Sequence, residues 1–580
     1  MSESQERSSS DWIKTYRPFF FESLSGITCV GVNKILLCDR SRGMLTEVDL
    51  ITETETFKKR YDVNDYAEVN SICYYEGEFY SVYQNCIYLA EYNGQEDVLN
   101  PELWICLPDR CDLTGIAVTA EKVYLVTKNQ SILCCDRQTK EVNQIGEVPG
   151  IGTVDDLCYF QGNLLIVDSK EQTVYVFDLE NRKFLYEILT PFENPTGIAV
   201  VYHEKAGRDV LYVSYSRPSF EVYDTGDSEF KLKIDTPVPD NFIYPLVYRC
   251  DRDKKAVLSN GFLLEMYYVR KLHALPEVAK KYKKVKNIEW KISLPIDSDR
   301  QKLLSFEPIG DFSMRVEEIA EEDNRKMAVF SIPKLKLKKE RRVFGWKALI
   351  EVHGIKYFLQ EEEVRPISEE ELQRYAKYLE NEPNLDMDRP FVIEAAKEAV
   401  KHLKEEQKNN ILAKAKAIRD YIYEKITYVM DAYNEGTEDV LKSGRGSCGE
   451  YLNVFLSLLR LNNIPARRCG NYKVPAYKMQ AGARSLFLSP DFNHVWLQFY
   501  VPDLGWVPLE SSADDEASSF REWAKRYFMA LAWYHAECRI GSYFEDVFEA
   551  GKEQPFFLSP DDISIKDIKF KVIGELDLKF

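Results

Sequence analysis

Histidine is scarce in this chain, six in 580 residues. Only His203 and His273 lie in or beside the first 270 residues, which leaves that half without the usual imidazole ligands of a metal centre. The thirteen cysteines show no paired metal-ligand spacing, and the adjacent Cys134 and Cys135 have no second motif to match them. Odd in number and scattered through strand-like segments, as at Cys29, Cys38, Cys73 and Cys158, they read as reduced thiols of a cytoplasmic protein. No metal and no cofactor is expected. Positive charge is outweighed, 76 Lys and Arg against 94 Asp and Glu, for a net −18. That balance excludes a general nucleic-acid binder, which needs a basic face for phosphate, and argues against an anionic membrane as partner. No run approaches the ~18 apolar residues of a membrane-spanning helix. Residues 1–7 lack the basic-then-apolar order of a signal peptide.

What is present is length enough for several domains. Residues 1–16 are polar and expected to be disordered. From there to about 270 a repeat recurs, opened by Gly26-Ile27-Thr28, Ser71-Ile72-Cys73, Gly115-Ile116-Ala117, Asp156-Leu157-Cys158, Gly197-Ile198-Ala199 and Pro245-Leu246-Val247. The starts lie 45, 44, 41, 41 and 48 residues apart. Each opening leads through a turn to an alternating strand such as Lys122-Val123-Tyr124-Leu125-Val126. A period of about 40–45 with several short strands per unit predicts a β-propeller, here of about six blades over 17–270. The wording Thr-Gly-Ile-Ala-Val followed by Leu-Tyr-Val-Ser resembles NHL-like propellers. Acidic residues near strand ends, Asp39, Asp155, Asp156 and Asp168, read as turn residues, and the propeller as a recognition surface.

A basic stretch, 271–287, with Lys280, Lys281, Lys283, Lys284 and Lys286, reads as a solvated linker. Strand patterns return over 288–365, clearest at Met327–Ile332 and Trp346–Val352 in the sequence, and predict a small antiparallel β-domain of sandwich type. Ser368-Glu369-Glu370-Glu371 carries a helix-opening capping box. Helices are then predicted over 391–404, 411–426 and 520–538.

The chemistry concentrates at Gly444-Arg445-Gly446-Ser447-Cys448-Gly449-Glu450-Tyr451. Leu452, Phe455, Leu456 and Leu459 follow at i, i+3, i+4, i+7, so Cys448 sits at or just before a helix N-terminus. There unpaired N–H groups and the macrodipole favour an anion, which suits a thiolate and a developing oxyanion. By itself a buried structural cysteine fits equally well. Downstream, Asn493-His494-Val495-Trp496 starts a strand, and Gly505-Trp506-Val507-Pro508-Leu509-Glu510 follows a Pro502–Leu504 turn. A thiol needs a base, and the base a third group to hold its ring. Cys448, His494 and Glu510 offer that chemistry in order.

At these residues the chain resembles the transglutaminase-like superfamily of papain-type cysteine enzymes. The matching pieces are Gly446–Tyr451, Asn463-Ile464-Pro465-Ala466-Arg467, His494-Val495-Trp496 and Gly505–Glu510. The likeness spans about 375–545, and a domain over 366–550 is assigned to it, with 551–580 as a C-terminal extension. The resemblance implies Cys448 as nucleophile, His494 as acid/base and Glu510 as orienting carboxylate. The family usually carries Asp where Glu510 stands. A hairpin pairing 501 with 506 sets residue 510 opposite 497, about 10 Å along the strand from His494, which keeps Asp514 as a reserve candidate. Arg445, Arg467 and Arg468 near the motif are read as solvated. The expected fold is therefore a multidomain one: propeller, β-sandwich, then an α+β transglutaminase-like domain. The expected activity is acyl transfer through a Cys448 thioester on a peptide, protein or carrier-protein substrate, with the propeller binding that partner and an amine as a possible acceptor. The alternatives are a strict cysteine protease and a non-catalytic scaffold with a remnant triad.

Overall fold

The computed structural model describes residues 15–59, 66–94, 101–150, 153–217, 240–320, 325–430, 436–474, 476, 487–488, 493–515, 523–541, 543–552 and 554–576. Of the stretch expected to be disordered, residues 1–14 lie outside that set. The chain divides into two compact units, Met1–Asn260 with Ala524–Arg526 and Asp577–Phe580, and Gly261–Trp523 with Tyr527–Leu576.

In the first unit the repeat becomes a ring of antiparallel sheets. The innermost strands are Leu24–Gly31, Ser71–Tyr75, Leu113–Val118, Val154–Phe160 and Pro195–His203, and each opens one sheet. Each packs against the next, and the fifth against the first, so the ring closes. The propeller thus has five blades among the described residues, not about six. The sixth repeat, Pro245-Leu246, belongs to the third strand of blade five, Asp240–Leu246. Outer strands carry the same apolar alternation as inner ones, so this one has the sequence pattern of a new blade. Blade five is completed by the N-terminus, where Tyr16 and Ile243 exchange backbone hydrogen bonds of 3.1 and 2.9 Å. A five-bladed ring brings inner strands close. At Gly115 a Cβ would stand 2.8 Å from the Asp156 Cα, a backbone atom with no freedom to retreat.

The acidic residues divide. Asp39 is a buried turn residue whose carboxylate accepts the N–H groups of Glu22, Ser23 and Ser41. Asp156 instead spans blades: Ser71 Oγ donates to it at 2.6 Å and Ile198 N–H at 3.3 Å, while burial drives its pKa well above the usual carboxylate value. No group of His, Cys, Asp or Glu able to hold a metal occurs among the described residues. Cys86 and Cys106 face one another directly across two strands of blade two and form a disulfide. The reading of every cysteine as a reduced thiol fails there, because pairing register had put two Cβ atoms side by side.

The second unit begins with two packed sheets. One holds Gln301–Ile309, Val343–Tyr357, Ala256–Leu272 from residue 261 onward, and Ser564–Leu576; the other holds Met314–Ile319, Arg325–Leu335, Val285–Ser293 and Glu545–Glu549. Phe344 of the first meets Trp290 and Phe330 of the second at 5.0 and 5.1 Å between ring centroids, the face-to-face contact of a sandwich. The stretch read as a C-terminal extension supplies a full strand, Ser564–Leu576, paired along Gly261–Leu272. The stretch read as a basic linker holds a helix, Pro276–Lys281, and the start of a strand at Val285. Its lysines are solvent-facing while Ala279 and Val285 are buried, so charge density concealed regular structure.

The remainder is α+β. Helices Pro390–Val400, Ile411–Lys425, Thr437–Ser443 and Cys448–Leu461 accompany a four-stranded antiparallel sheet. Its order is Gly505–Leu509, Asn493–Val501, Ala466–Lys473, His535–Ile540. The helix predicted over 520–538 is absent from residue 523 on. Tyr527, Trp533, Tyr534 and His535 are all buried, which leaves no polar face for a helix, and strands Ala530–Leu531 and His535–Ile540 form instead. No helix among the described residues is long and apolar enough to cross a membrane.

Candidate active site

Local sequence places the cysteine. The helix Thr437–Ser443 stops at Gly444, whose φ of 66° is the left-handed cap that glycine adopts without strain. Arg445–Gly446 then pairs in parallel with Thr427–Tyr428. At Gly446 an added Cβ would lie 2.9 Å from the Glu450 Cβ, so only glycine lets the chain turn this tightly. Glu450 accepts the Ser447 N–H at 3.0 Å and its hydroxyl as well, closing a capping box that starts the helix. Cys448 is the first helical residue. Leu452, Phe455, Leu456 and Leu459, the spaced apolar positions, are buried, and the helix packs on strands Asn493–Val501 and Ala466–Lys473.

That packing sets the histidine against the thiol. His494 is buried, its Nε2 hydrogen-bonded to Glu510 Oε1, and Cys448 lies close enough to the ring to favour its charge. With Nε2 on Glu510, Nδ1 is the nitrogen left for sulfur. Burial works against a charged ring, but the Glu510 charge, the nearby Cys448 and the hydrogen bond to Glu510 outweigh it and lift His494 from 6.5 to about 9. Glu510 shows the converse. Burial disfavours its charge, yet His494, Lys473 and the Ala513 N–H hold its pKa below the usual carboxylate value. Its second oxygen accepts the N–H groups of Ser512, at 3.0 Å, and Ala513.

The hairpin register differs from the expected one by a residue. Val501 pairs with Gly505 and Leu497 with Leu509, so residue 510 follows on diagonally from His494. Asp503 (φ 69°) and Gly505 (φ 93°) allow the shorter loop. Diagonal neighbours are ~7–8 Å apart at the backbone, a span the longer Glu side chain bridges. Asp514, the reserve candidate, is elsewhere: it stands 3.6 Å from Arg419 Nη2 and accepts the Tyr527 N–H at 3.0 Å, both partners buried. Arg467 and Arg468 are not solvated. Arg467 is buried over the Trp506 ring and donates to Gln498 at 2.8 Å; Arg468 donates to Asn453 at 2.7 Å and pairs with Glu382. Arg445 is exposed.

Sequence reasoning missed Tyr428. Its strand runs beside Arg445–Gly446, which brings its phenol close to Cys448. Burial, then the nearby Cys448 and Glu510, keep the phenol protonated. The isolated Tyr428 carried no signal, because only a two-residue parallel bridge brings it to the thiol. His535 is buried, which holds it well below 6.5, and it packs against Trp496 at 5.1 Å.

Residues 397–511 match the sequence model of the Transglutaminase-like superfamily, a span that holds Cys448, His494 and Glu510. A comparison with curated proteins finds no match. Among solved structures, a provisionally assigned cysteine protease of Cytophaga hutchinsonii is similar at 14% identity over 55% of this chain and 100% of its own, with a TM-score of 0.36. Regucalcin of Agrobacterium tumefaciens, a calcium-binding protein, is similar at 11% identity over 39% of this chain and 90% of its own, TM-score 0.27. A luciferin-regenerating enzyme is similar at 13% identity, 38% and 91% coverage, TM-score 0.27. Overlaps this loose transfer no activity to the chain.

Proposed function

We propose that the second unit is a cysteine acyltransferase or hydrolase, with Cys448 as nucleophile, His494 as general acid/base and Glu510 as the carboxylate that orients the ring. The observation that carries this reading is the hydrogen bond from Glu510 to the His494 ring, beside a cysteine at the first position of a helix that acts on the same ring. Cys448 gives its thiol proton to His494, its sulfur attacks a carbonyl carbon, and the carbonyl π electrons move to oxygen. On collapse, the C–N or C–S bond of the substrate breaks, and His494 gives its proton to the leaving amine or thiol. Water or an amine then releases the acyl group from the thioester, its proton passing back to His494. The Cys448 N–H at the helix N-terminus and the nearby protonated Tyr428 phenol are the donors we assign to the oxyanion.

The substrate class is an amide or thioester on a peptide, protein or carrier protein, with the propeller as the surface that holds the partner. Eleven of the thirteen cysteines are free thiols, which fits a cytoplasmic setting, the Cys86–Cys106 bond being the exception. The test is stoichiometric capture by iodoacetamide followed by peptide mapping. Fast capture confined to Cys448, lost in His494→Ala, supports the enzyme. Slow, uniform labelling of many cysteines refutes it in favour of a scaffold. Intact mass of the acylated enzyme after adding amines or water then separates transfer from hydrolysis.

A further inference from the structure

Beside the three residues stands a cation that none of these steps uses. Lys473 ends the strand Ala466–Lys473, which lies between the histidine strand and His535–Ile540. Asn471 is opposite His494 on one side, and Lys473 is opposite His535 on the other. The His494 and His535 rings approach to 6.2 Å across this strand, which puts the root of Lys473 at the edge of the site. Its ammonium lies 5.3 Å from the centre of the Tyr534 ring, and the Val474 N–H donates to the Tyr534 carbonyl at 2.7 Å, fixing strand and ring together. The side chain is half-buried. Among the described residues no carboxylate pairs with it. Its charge is felt at His494, at Glu510 and at His535.

The charge balance of the site says what would complete it. With sulfur as thiolate, Cys448 and Glu510 offset His494 and Lys473. Once sulfur carries an acyl group its charge is gone. Glu510 is committed to His494 and to two backbone N–H groups, so among the described residues no carboxylate is left to balance Lys473. His535, kept neutral by burial, does not compete for an anion. Resting on the reading of Cys448 as nucleophile, we propose that Lys473 is a carboxylate-binding residue of the acyl-donor subsite. The substrate then bears a carboxylate within a few bonds of the carbonyl under attack, as an acidic peptide does.

The two simplest alkylating agents test this without a known substrate. Iodoacetate presents a carboxylate one bond from the carbon that sulfur attacks; iodoacetamide presents a neutral amide there. The quantity read is the ratio of their second-order rates at Cys448, divided by the same ratio for a small free thiol. Wild-type protein is expected to favour iodoacetate by about tenfold on this scale, a local-field enhancement at the low end of what such clefts produce. Lys473→Met is expected to remove most of that preference and Lys473→Arg to keep it. In the unmutated protein the preference is expected to decline as salt is raised. A Lys473→Met protein that loses both rates equally overturns the proposal, because the lysine then serves only the thiolate. So does a wild-type ratio equal to that of the free thiol, or one insensitive to salt. Failure of iodoacetamide to capture Cys448 selectively in wild type overturns the nucleophile reading and this one together.

Discussion

Shortening Glu510 by one methylene is the sharpest perturbation of this site. Glu510 does two jobs from one carboxylate: Oε1 on the His494 ring, Oε2 on the N–H groups of Ser512 and Ala513. Glu510→Asp withdraws the carboxylate by about 1.5 Å, one C–C bond. Asp binds the backbone N–H groups two and three residues on more readily than Glu, in an Asx turn, so it will keep Ser512 and Ala513 and release the ring. The loss is one hydrogen bond to a charged group, about 1.5–3 kcal/mol, or roughly ten- to a hundredfold in rate. Glu510 supplies two of the three causes that lift His494 from 6.5 to about 9, so its loss acts in the same direction. The assay is the rate of iodoacetamide capture at Cys448 against pH. Glu510→Asp should slow capture and bring down the alkaline limb that belongs to the thiol–imidazole pair. Glu510→Gln, which keeps the reach but not the charge, should do the same. Capture by Glu510→Asp at the wild-type rate would refute the argument that length, set by the diagonal register, decides the residue at this position.

Four further outcomes follow from the same geometry. His494 has a folded pKa raised to about 9, so its contribution to stability is complete below 6.5 and is lost as pH rises through about 9. Glu510 is depressed, so its contribution is present above 4.5 and lost in acid. Thermal melts should therefore show the gap between wild type and Glu510→Gln widest near pH 6 and narrowing by pH 9.5. In the propeller, burial lifts Asp168 from 3.8 to about 8, and its Oδ2 meets no donor among the described residues. A raised pKa means stability present below 3.8 and lost as pH rises through about 8, so Asp168→Asn should raise Tm at pH 8.5 and change little at pH 4. Gly115→Ala forces a Cβ against the Asp156 backbone and should cost about 1–3 kcal/mol in denaturant unfolding. Asp514→Asn breaks a buried pair with Arg419 and should cost about 3–5 kcal/mol. Its readout is loss of Tm without the altered pH limb that marks Glu510.

How far the sequence could be read depended on the distance over which each signal acts. Cys448 was legible because everything that places it is local: a glycine that must be left-handed at 444, one that must lack a Cβ at 446, a capping box, and apolar residues at helical spacing. The α+β fold of about 375–545 followed from a family resemblance carried by four blocks in order. What failed was register. One residue of slip in the loop after Val501 decides whether residue 510 is a diagonal neighbour of His494 or out of reach, and φ values at Asp503 and Gly505 settle it. The sixth blade failed for the related reason that an outer strand alternates as an inner one does. Cys86 and Cys106, twenty residues apart, became partners only once their strands were aligned. Tyr428 and Lys473 show the limit most clearly. Neither belongs to a motif, yet each stands beside the catalytic candidates because a neighbouring strand brings it there. The three motif residues are compatible with many acyl donors. A residue that tells one donor from another, as proposed for Lys473, is then delivered to the thiol by strand pairing and not by local sequence, and among the described residues no carboxylate pairs with that lysine.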